Sequence, residues 1–217
     1  MEQRLSDKRG RDDFPTPPWG TRSVVEHVLG EFIPLGTLKT QIVWDPAAGA
    51  GYMSTVLGEY FYRVYESDVH DYAGRYTAKP RSPTRALGSF VLTPDHPKMV
   101  MSPPIVDWVI TNPPFKLGLD FCLRALKVAR VGVAILARTQ FKEGADRYQR
   151  LFVPHPPTTV AIFSGRLAMV EGRYDPAAST ATSYSWFVWL RGHPPTPDTW
   201  IPPSAKLRLT REGDSLL

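Results

Sequence analysis

Proline is the feature of this sequence that most restricts the folds open to it. The chain holds 22 prolines among 217 residues, about twice the usual proportion of ~5%. Each proline fixes its φ angle and lacks a backbone N–H donor, so prolines interrupt long helices. A long-helix bundle and a coiled coil are therefore excluded. The length allows one domain, or a core with a small addition, built from short elements with rigid connections.

Composition narrows the class of protein further. The chain is 42% hydrophobic and 22% charged, which is close to the globular average and disfavours a disordered chain. No apolar run approaches the ~18 residues of a membrane span, so a membrane partner is not expected. Cys122 is the single cysteine and the five histidines are dispersed, so neither an internal disulfide nor a metal site is expected. With a polar N-terminus, these features predict a cytoplasmic protein.

Apolar runs alternate between the two periodicities of regular structure. The pattern predicts strands at 41–44, 62–66, 89–92, 106–110 and 131–136, and helices from 21 or 23 to 30, over 52–60 and over 119–129. A repeated order of strand then helix predicts an α/β fold with a mostly parallel sheet covered by helices. In such a sheet, ligands bind just beyond the carboxyl ends of the strands.

The remaining segments predict the domain boundaries. Residues 1–13 are charged and lack apolar periodicity, so they are expected to form a flexible arm before a domain at 14–192. The runs 159–163 and 184–190 predict an antiparallel hairpin at the sheet edge. Residues 193–217 begin with a proline-rich stretch, which predicts an extended C-terminal tail.

A glycine turn follows the first predicted strand. Asp45 ends the strand, and Gly49 and Gly51 open the next helix, as in a turn where backbone approaches a ligand closely. Ser54 stands where a dinucleotide fingerprint needs its third glycine, which disfavours NAD and FAD. A carboxylate here repels a pyrophosphate and attracts an ammonium group, which favours S-adenosylmethionine. A second acid after the next strand, Asp68 or else Glu66, would bind the ribose diol.

A tetrapeptide after the strand 106–110 indicates the chemistry. Asn112, Pro113, Pro114 and Phe115 form a rigid turn, in which an asparagine carbonyl and a backbone carbonyl point into one cleft. Two such acceptors bind both hydrogens of an exocyclic amine or amide and stabilise the positive charge that develops on nitrogen during transfer. The Phe115 ring offers a face on which a flat group stacks.

Together these motifs resemble a known family. Residues 45–51 followed by 112–115 are similar to class I S-adenosylmethionine-dependent amino-methyltransferases, in the motif order of the gamma-class adenine-N6 DNA methyltransferases. The resemblance to small bacterial and phage enzymes of this type covers roughly residues 14–190. It implies a Rossmann-like, seven-stranded methyltransferase sheet. It also implies methyl transfer from S-adenosylmethionine to adenine N6 in DNA, with the target base flipped into the site, by a bacterial or phage-encoded, nucleoid-associated protein.

The resemblance assigns residues to two sets. Residues expected to bind the cofactor are Phe14, Thr16, Pro17, Asp45, Ala47, Gly49, Gly51, Asp68, Ser89, Phe90 and Asn112, the first three by closing over its methionine end. Residues expected to hold the amine and the base are Asn112, Pro113, Pro114 and Phe115. The chain departs from the family at Ser89, where the family often has an aspartate that grips the adenine of the cofactor.

The positions of the basic residues indicate the class of substrate. The net charge is +5, and positive charges follow the predicted strand ends and occupy the hairpin connection, which favours a nucleic acid. The residues expected to contact it are Lys116, Arg138, Lys142, Arg166 and Arg173, with Arg147 and Arg150 in the same cluster. Phe163 or Tyr174 is expected to form a second wall around an extruded base.

Three alternatives remain at this stage. The same motif order also serves enzymes that methylate RNA adenine and a group that methylates glutamine amides in proteins. A chain of this kind can also be an inactive, regulatory nucleic-acid-binding protein. The intact sequence from Asn112 to Phe115 argues against inactivity, whereas Ser89 favours it.

Overall fold

The computed structural model describes residues 13–72, 85–95, 99, 102–103 and 105–216. Its strands are β1 (Ile42–Asp45), β2 (Arg63–Asp68), β3 (Arg85–Leu87), β4 (Trp108–Thr111), β5 (Gly132–Arg138), β6 (Thr159–Phe163), β7 (Tyr184–Leu190) and β8 (Thr199–Ile201). Its α-helices are α1 (Pro18–Ser23), α2 (Tyr52–Leu57), α3 (Gly118–Val128), α4 (Ala145–Arg147) and α5 (Ala205–Leu209). Wider π-type turns at Val24–Val28 and Tyr148–Phe152 extend α1 and α4, and 3₁₀ turns lie at Leu29–Glu31, Leu35–Thr40, Phe115–Leu117, Thr139–Lys142 and Asp214–Leu216.

One mixed sheet contains all eight described strands. Their order is β3-β2-β1-β4-β5-β7-β6-β8, and among them β7 alone runs against the others, pairing antiparallel with both β5 and β6. The expected α/β fold with a mostly parallel sheet is therefore confirmed. The expected count of seven strands is wrong, because β8 adds to the far side of β6 in parallel.

The sheet is buried on both faces. Along β4, Trp108 and Ile110 pack into one hydrophobic cluster and Val109 packs into another, as alternation along a strand requires. Close packing also explains a glycine on the neighbouring strand. A Cβ on Gly132 would lie 2.4 Å from the Trp108 ring, so only glycine fits beside this tryptophan.

Three elements of the structure lie at positions that differ from those predicted from the sequence. The third strand was expected at 89–92, but β3 occupies Arg85–Leu87, and Ser89 forms only an isolated bridge to Met99. The first helix was expected from residue 21 or 23 and begins instead at Pro18, because the fixed φ of proline suits a first helical position. The hairpin of β6 and β7 is antiparallel as expected, but it lies inside the edge strand β8.

The C-terminal segment differs from the extended tail expected over 193–217. It carries β8, α5 and a final turn at Asp214–Leu216. Ile201, Ala205 and Leu209 recur every four residues and are at most 5% exposed in the main core. Their burial holds the segment against the sheet, so the density of prolines does not prevent folding here. Residues 1–12 of the expected arm lie outside the described residues, and Asp13 is buried.

Candidate active site

The carboxyl ends of the parallel strands place the sequence motifs along one edge of the sheet. Asp45 at the end of β1 is in register with Glu66 on β2. Next to β1, β4 ends at Thr111 and leads directly into Asn112. The motifs are therefore adjacent because parallel strands end on the same side.

The glycine turn adopts the conformation that its sequence predicts. Gly49 has φ +53° and Gly51 has φ +92°, values that side chains with a Cβ rarely adopt. The turn is attached to β2, because the N–H of Ala48 donates to the carbonyl of Ser67 at 3.1 Å. The backbone amide of Gly49 also donates to Asp68 Oδ2 at 2.9 Å.

Asp45 links the glycine turn to the strand before Asn112. Its side chain is 1% exposed. Its carboxylate accepts hydrogen bonds from Ser54 Oγ of α2 at 3.0 Å and from Thr111 Oγ1 of β4 at 2.8 Å. Burial raises the pKa of Asp45 to about 7, although the two hydroxyl donors oppose that rise. Asp45 therefore connects the helix that follows the glycine turn to the end of β4, which leads into Asn112.

The two acids of β2 have different environments. Both oxygens of Asp68 accept backbone N–H groups, from Gly49 and from His70 at 2.9 Å each. Glu66 lies beside the turn instead, with both carboxylate oxygens 4.0 Å from the position of a Cβ on Gly51. Glu66 pairs with Arg85 at 3.3 Å, and burial raises the pKa of Glu66 although Arg85 opposes this. Of the two acids named from sequence, Asp68 is bonded to the turn itself, whereas Glu66 lies beside the turn and pairs with Arg85.

Arg85 was not predicted from sequence and belongs to this turn. Its guanidinium donates to the carbonyl of Gly49 at 2.6 Å while it pairs with Glu66. The side chain of Arg85 is 7% exposed. No local signal predicts this contact, since it joins the first residue of β3 to a turn 36 positions earlier.

The structure places Ser89 and Phe90 in the interior. The Phe90 ring is 1% exposed and packs edge-on against Trp44 at 4.9 Å between ring centroids. Arg124 covers it at 4.6 Å. The Ser89 hydroxyl donates to the carbonyl of Val91. Phe90 is therefore a core residue in this structure, in contrast to the stacking role expected from the resemblance.

Asn112, the only asparagine in the chain, is held by the N-terminal segment. Its Nδ2 donates to the carbonyl of Phe14 at 3.0 Å and to Thr16 Oγ1 at 3.2 Å, and it contacts Met169 Sδ at 3.7 Å. The Asn112 side-chain oxygen accepts no hydrogen bond from the described residues. These contacts fix the amide plane and leave its oxygen as the available acceptor.

Phe14 and Thr16 thus contact Asn112, although the resemblance assigned them to the cofactor. Thr16 is 3% exposed, and Pro17 precedes α1, with its carbonyl accepting the N–H of Gly20 at 2.8 Å. The sequence provides no local signal for a contact between residues 14 and 112. The contact between Met169 Sδ and Asn112 Nδ2 was likewise not predicted from the sequence.

The proline turn also positions an aromatic cluster. Pro114 precedes the turn at Phe115–Leu117, whose Leu117 N–H donates to the Pro114 carbonyl at 2.9 Å. The Pro113 carbonyl accepts no backbone hydrogen bond within the described residues. The Phe115 ring lies 5.5 Å from the Phe14 ring and 6.3 Å from the Tyr184 ring. The turn therefore places an acceptor and a flat ring side by side.

Most of the predicted nucleic-acid contacts are engaged within the chain. Lys142 pairs with Asp198, and Arg173 pairs with Asp175 at 3.3 Å. Arg166 donates to the carbonyl of Ala181 and to Ser183. Two residues of the set have no acidic partner among the described residues, the exposed Lys116 and Arg138.

The two residues expected to form a second wall around an extruded base lie in different environments. Phe163 is 8% exposed and packs edge-on against Trp19 at 5.5 Å, so it is a core residue. Tyr174 is partly exposed, and its ring lies 6.3 Å from the ring of Tyr52, the first residue of α2. Only Tyr174 is available to a ligand near the turn.

Comparisons with known proteins show the fold. No protein-family model matches the chain, and no curated protein is similar to it in sequence. The methyltransferase subunit of a type I restriction-modification system from Streptococcus thermophilus aligns with a TM-score of 0.60 and 11% identity, over 88% of this chain and 48% of that one. The chain therefore spans about half the length of that subunit.

Two further structures resemble the chain over most of both lengths. A putative RNA methyltransferase from Pyrococcus horikoshii aligns with a TM-score of 0.52 and 14% identity, over 78% of this chain and 82% of that one. Magnesium protoporphyrin IX methyltransferase from Synechocystis, solved with bound SAM, aligns with a TM-score of 0.51 and 15% identity, over 81% and 79%. The chain has a class I methyltransferase fold.

The part of the chain that the structure describes lacks two other features. No helix there combines the length and apolarity that crossing a membrane requires. No group of three or more histidine, cysteine, aspartate or glutamate side chains in the same ranges is arranged to hold a metal ion.

Proposed function

We propose that the protein is an S-adenosylmethionine-dependent methyltransferase that modifies the N6 amino group of adenine in DNA. The observation that carries this proposal is the orientation of Asn112. Its amide nitrogen is engaged by Phe14 and Thr16, so its oxygen is the group available to a substrate amine. An acceptor fixed in this way, next to a flat ring, suits an amine attached to an aromatic base.

The charges around the glycine turn fit the proposed cofactor. Four carboxyl groups, those of Asp13, Asp45, Glu66 and Asp68, lie at or beside the turn, and Arg85 is the one described cation that contacts it. A negative environment disfavours a pyrophosphate and favours a cation. S-adenosylmethionine, when bound, supplies an electrophilic methyl group on a positively charged sulfur. Gly49 and Gly51 would let the backbone approach it, and Asp68, or else Glu66, would accept the hydrogen bonds of its ribose.

Asn112 prepares the substrate nitrogen. Its side-chain oxygen accepts one amine hydrogen, and the Pro113 carbonyl is placed next to it along the turn to accept the other. Both contacts strengthen as positive charge develops on the nitrogen, because carbonyl dipoles that are already oriented need not rearrange. No side chain with a tuned pKa is needed, since the nitrogen loses its proton after it has been methylated.

The proposal of a nucleic acid rests on three kinds of support. The net charge is +5, Lys116 and Arg138 lie exposed beside the aromatic cluster, and Phe115 supplies a stacking surface for a flipped base. Of the solved structures named above, one belongs to a restriction-modification system and one is a putative RNA methyltransferase. DNA is the first choice because the motif order resembles that of DNA enzymes, with RNA adenine the first competitor.

The test is a labelling experiment with three substrates in parallel. The protein is incubated with methyl-labelled S-adenosylmethionine and equal masses of DNA, RNA and unrelated protein, and the nucleosides are then separated. The proposal expects N6-methyladenine in DNA, lost in Asn112→Ala and retained in Gln149→Ala, which removes an exposed amide elsewhere. Label in RNA or protein alone would make the substrate assignment wrong. Cofactor binding without label in any substrate would support the inactive alternative.

A further inference from the structure

Arg138 covers the ring on which the proposed substrate would stack. Its guanidinium carbon lies 4.3 Å from the centroid of the Phe115 ring. Arg138 is the last residue of β5 and pairs in register with Tyr184, so it is anchored at the same edge of the sheet as Asn112. The contact with Phe115 is a cation–π interaction.

The positive charge of Arg138 is unusual among the basic residues near the site. Arg138 is exposed, and no carboxylate pairs with it in the described part of the chain. Lys116 shares this property, whereas Lys142 is neutralised by Asp198 and Arg150 by Asp146. An exposed guanidinium that touches only a ring is held weakly, because cation–π contacts at exposed sites contribute about 0.5–1 kcal/mol. A phosphate would compete well for it, since charge-assisted bidentate bonds are stronger.

We propose that Arg138 is a substrate-binding residue with two positions. In the protein without substrate its guanidinium rests on Phe115, and when a flat base approaches that ring it moves to a backbone phosphate next to the target nucleotide. The inference rests on the proposed function, and it names phosphate as the group recognised beside the amine site. It also explains how the ring stays covered until the base arrives.

The chemistry of the contact favours a nucleic acid over a protein amide. A base and its phosphate are joined by one sugar, so a residue that leaves the ring meets the phosphate within the length of an arginine side chain. A glutamine side chain has no ring to take the place of the guanidinium and no adjacent anion. An acidic peptide would supply the anion but not the ring.

Binding of a short single-stranded abasic oligonucleotide isolates the phosphate contact, because this probe contains no base that could stack on Phe115 or offer an amine to Asn112. Fluorescence anisotropy at a series of salt concentrations measures the affinity in wild type, Arg138→Gln, Arg138→Lys and Arg211→Gln. The dependence of log affinity on log salt should become less steep by about 0.7 in Arg138→Gln, which is one phosphate contact. Arg138→Lys should keep the wild-type slope. Arg211→Gln is the matched control, an exposed arginine outside the expected nucleic-acid cluster that is already paired with Glu59 at 2.8 Å, and should also keep it.

A second variant tests the resting position on the ring. Phe115→Leu removes the ring, so Arg138 no longer has to leave it, and the affinity for the abasic oligonucleotide should rise about two- to fivefold. The rise should vanish in the double variant with Arg138→Gln. An unchanged affinity in Phe115→Leu would overturn the two-position inference.

The outcomes separate this inference from the proposed function. Equal salt slopes in Arg138→Gln and Arg211→Gln would overturn the phosphate contact even if the wild-type protein methylates DNA. Binding of polyglutamate with the same dependence on Arg138 would make an acidic peptide the partner and overturn the inference. The proposed function depends instead on methyl label in DNA, so its failure is read in a different experiment.

Discussion

The hydroxyl of Thr111 donates a hydrogen bond to Oδ1 of Asp45 at 2.8 Å. This contact joins the end of β4, one residue before Asn112, to the end of β1, which opens the glycine turn. The same carboxylate accepts a bond from Ser54 of α2. A buried carboxylate thus couples the proposed amine site to the proposed cofactor site.

Removal of the hydrogen bond between Thr111 and Asp45 should lower the rate of methyl transfer by more than its modest effect on folding stability would suggest. Thr111→Val leaves the buried carboxylate with one donor fewer, which costs about 1–3 kcal/mol of folding free energy. It also frees the end of β4, so methyl transfer should fall by about tenfold or more. Thr111→Ser, which keeps the hydroxyl, should retain both properties. Denaturant unfolding and single-turnover labelling measure the two effects, and a Val variant that matches the Ser variant in both would contradict the coupling.

The raised pKa of Asp45 predicts how stability varies with pH. Burial raises this pKa from its usual value of 3.8 to about 7. Between these values the folded protein binds more protons than the unfolded chain, so the free energy of unfolding falls as the pH rises. Asp45→Asn removes this contribution, and its stability should fall less than that of wild type from pH 4 to about 7. Denaturant unfolding at several pH values checks this.

The control for Asp45→Asn is Asp146→Asn, which removes an exposed carboxyl group. It should follow the wild-type pH dependence. Parallel curves for wild type and Asp45→Asn would show that the Asp45 carboxyl titrates at the same pH in both states, and the prediction would be wrong.

Gly51 should tolerate no side chain, for a conformational reason. Its φ is +92°, while the nearest atoms to a Cβ there are 4.0 Å away, on Glu66. Strain rather than a clash should therefore destabilise Gly51→Ala, by about 1–2 kcal/mol. Gly36 is exposed within a helical turn with no atom within 4 Å of a Cβ, so Gly36→Ala should change stability by less than about 0.5 kcal/mol. Equal unfolding midpoints for the two variants would contradict the prediction.

Arg22 connects the first helix to the C-terminal segment. Its side chain is 2% exposed and pairs with Glu59 and Asp214 at 2.7 Å each, and it also donates to the carbonyl of Leu209 at 2.7 Å. Arg22→Met leaves Asp214 buried without its cation, so stability should fall by about 3–5 kcal/mol.

The matched control for Arg22→Met is Arg211→Met. Arg211 also pairs with Glu59, at 2.8 Å, but is 51% exposed, so its removal should cost under about 1 kcal/mol. Thermal or denaturant unfolding gives both values. Similar losses in the two variants would mean that the buried network does not hold the C-terminal segment.

The motifs could be located from sequence because each follows a strong apolar run. Residues 41–44 and 106–110 predict two strands, and the residues after them, Asp45 and Asn112, therefore meet at one edge of a parallel sheet. Local pattern sufficed for this part of the site. The position of β3 was missed because its three residues carry no alternating apolar pattern.

Contacts between distant residues were beyond local pattern. The pairing of Asn112 with Phe14, or of Arg138 with Phe115, depends on how loops pack and leaves no periodic signal. Phe90 illustrates the same limit, since the motif alone does not show that Trp44 encloses its ring. In the C-terminal segment a usable signal existed, the recurrence of Ile201, Ala205 and Leu209, but the prolines around it favoured an extended prediction.

The contact between Thr16 and Asn112 gives a direct test of how the proposed amine site is oriented. Thr16→Val keeps the shape of a buried side chain and removes the acceptor that lies 3.2 Å from Asn112 Nδ2. The amide then keeps one partner, the carbonyl of Phe14, and its oxygen is free to turn from the substrate. The orientation of the Asn112 amide affects the methyl-transfer step rather than the binding of the substrate in its ground state. We therefore expect kcat to fall about tenfold or more while KM changes little. Thr16→Ser, which restores the hydroxyl, should recover most of the rate. An equal kcat in the Val and Ser variants, with unchanged unfolding midpoints, would show that Thr16 does not orient Asn112.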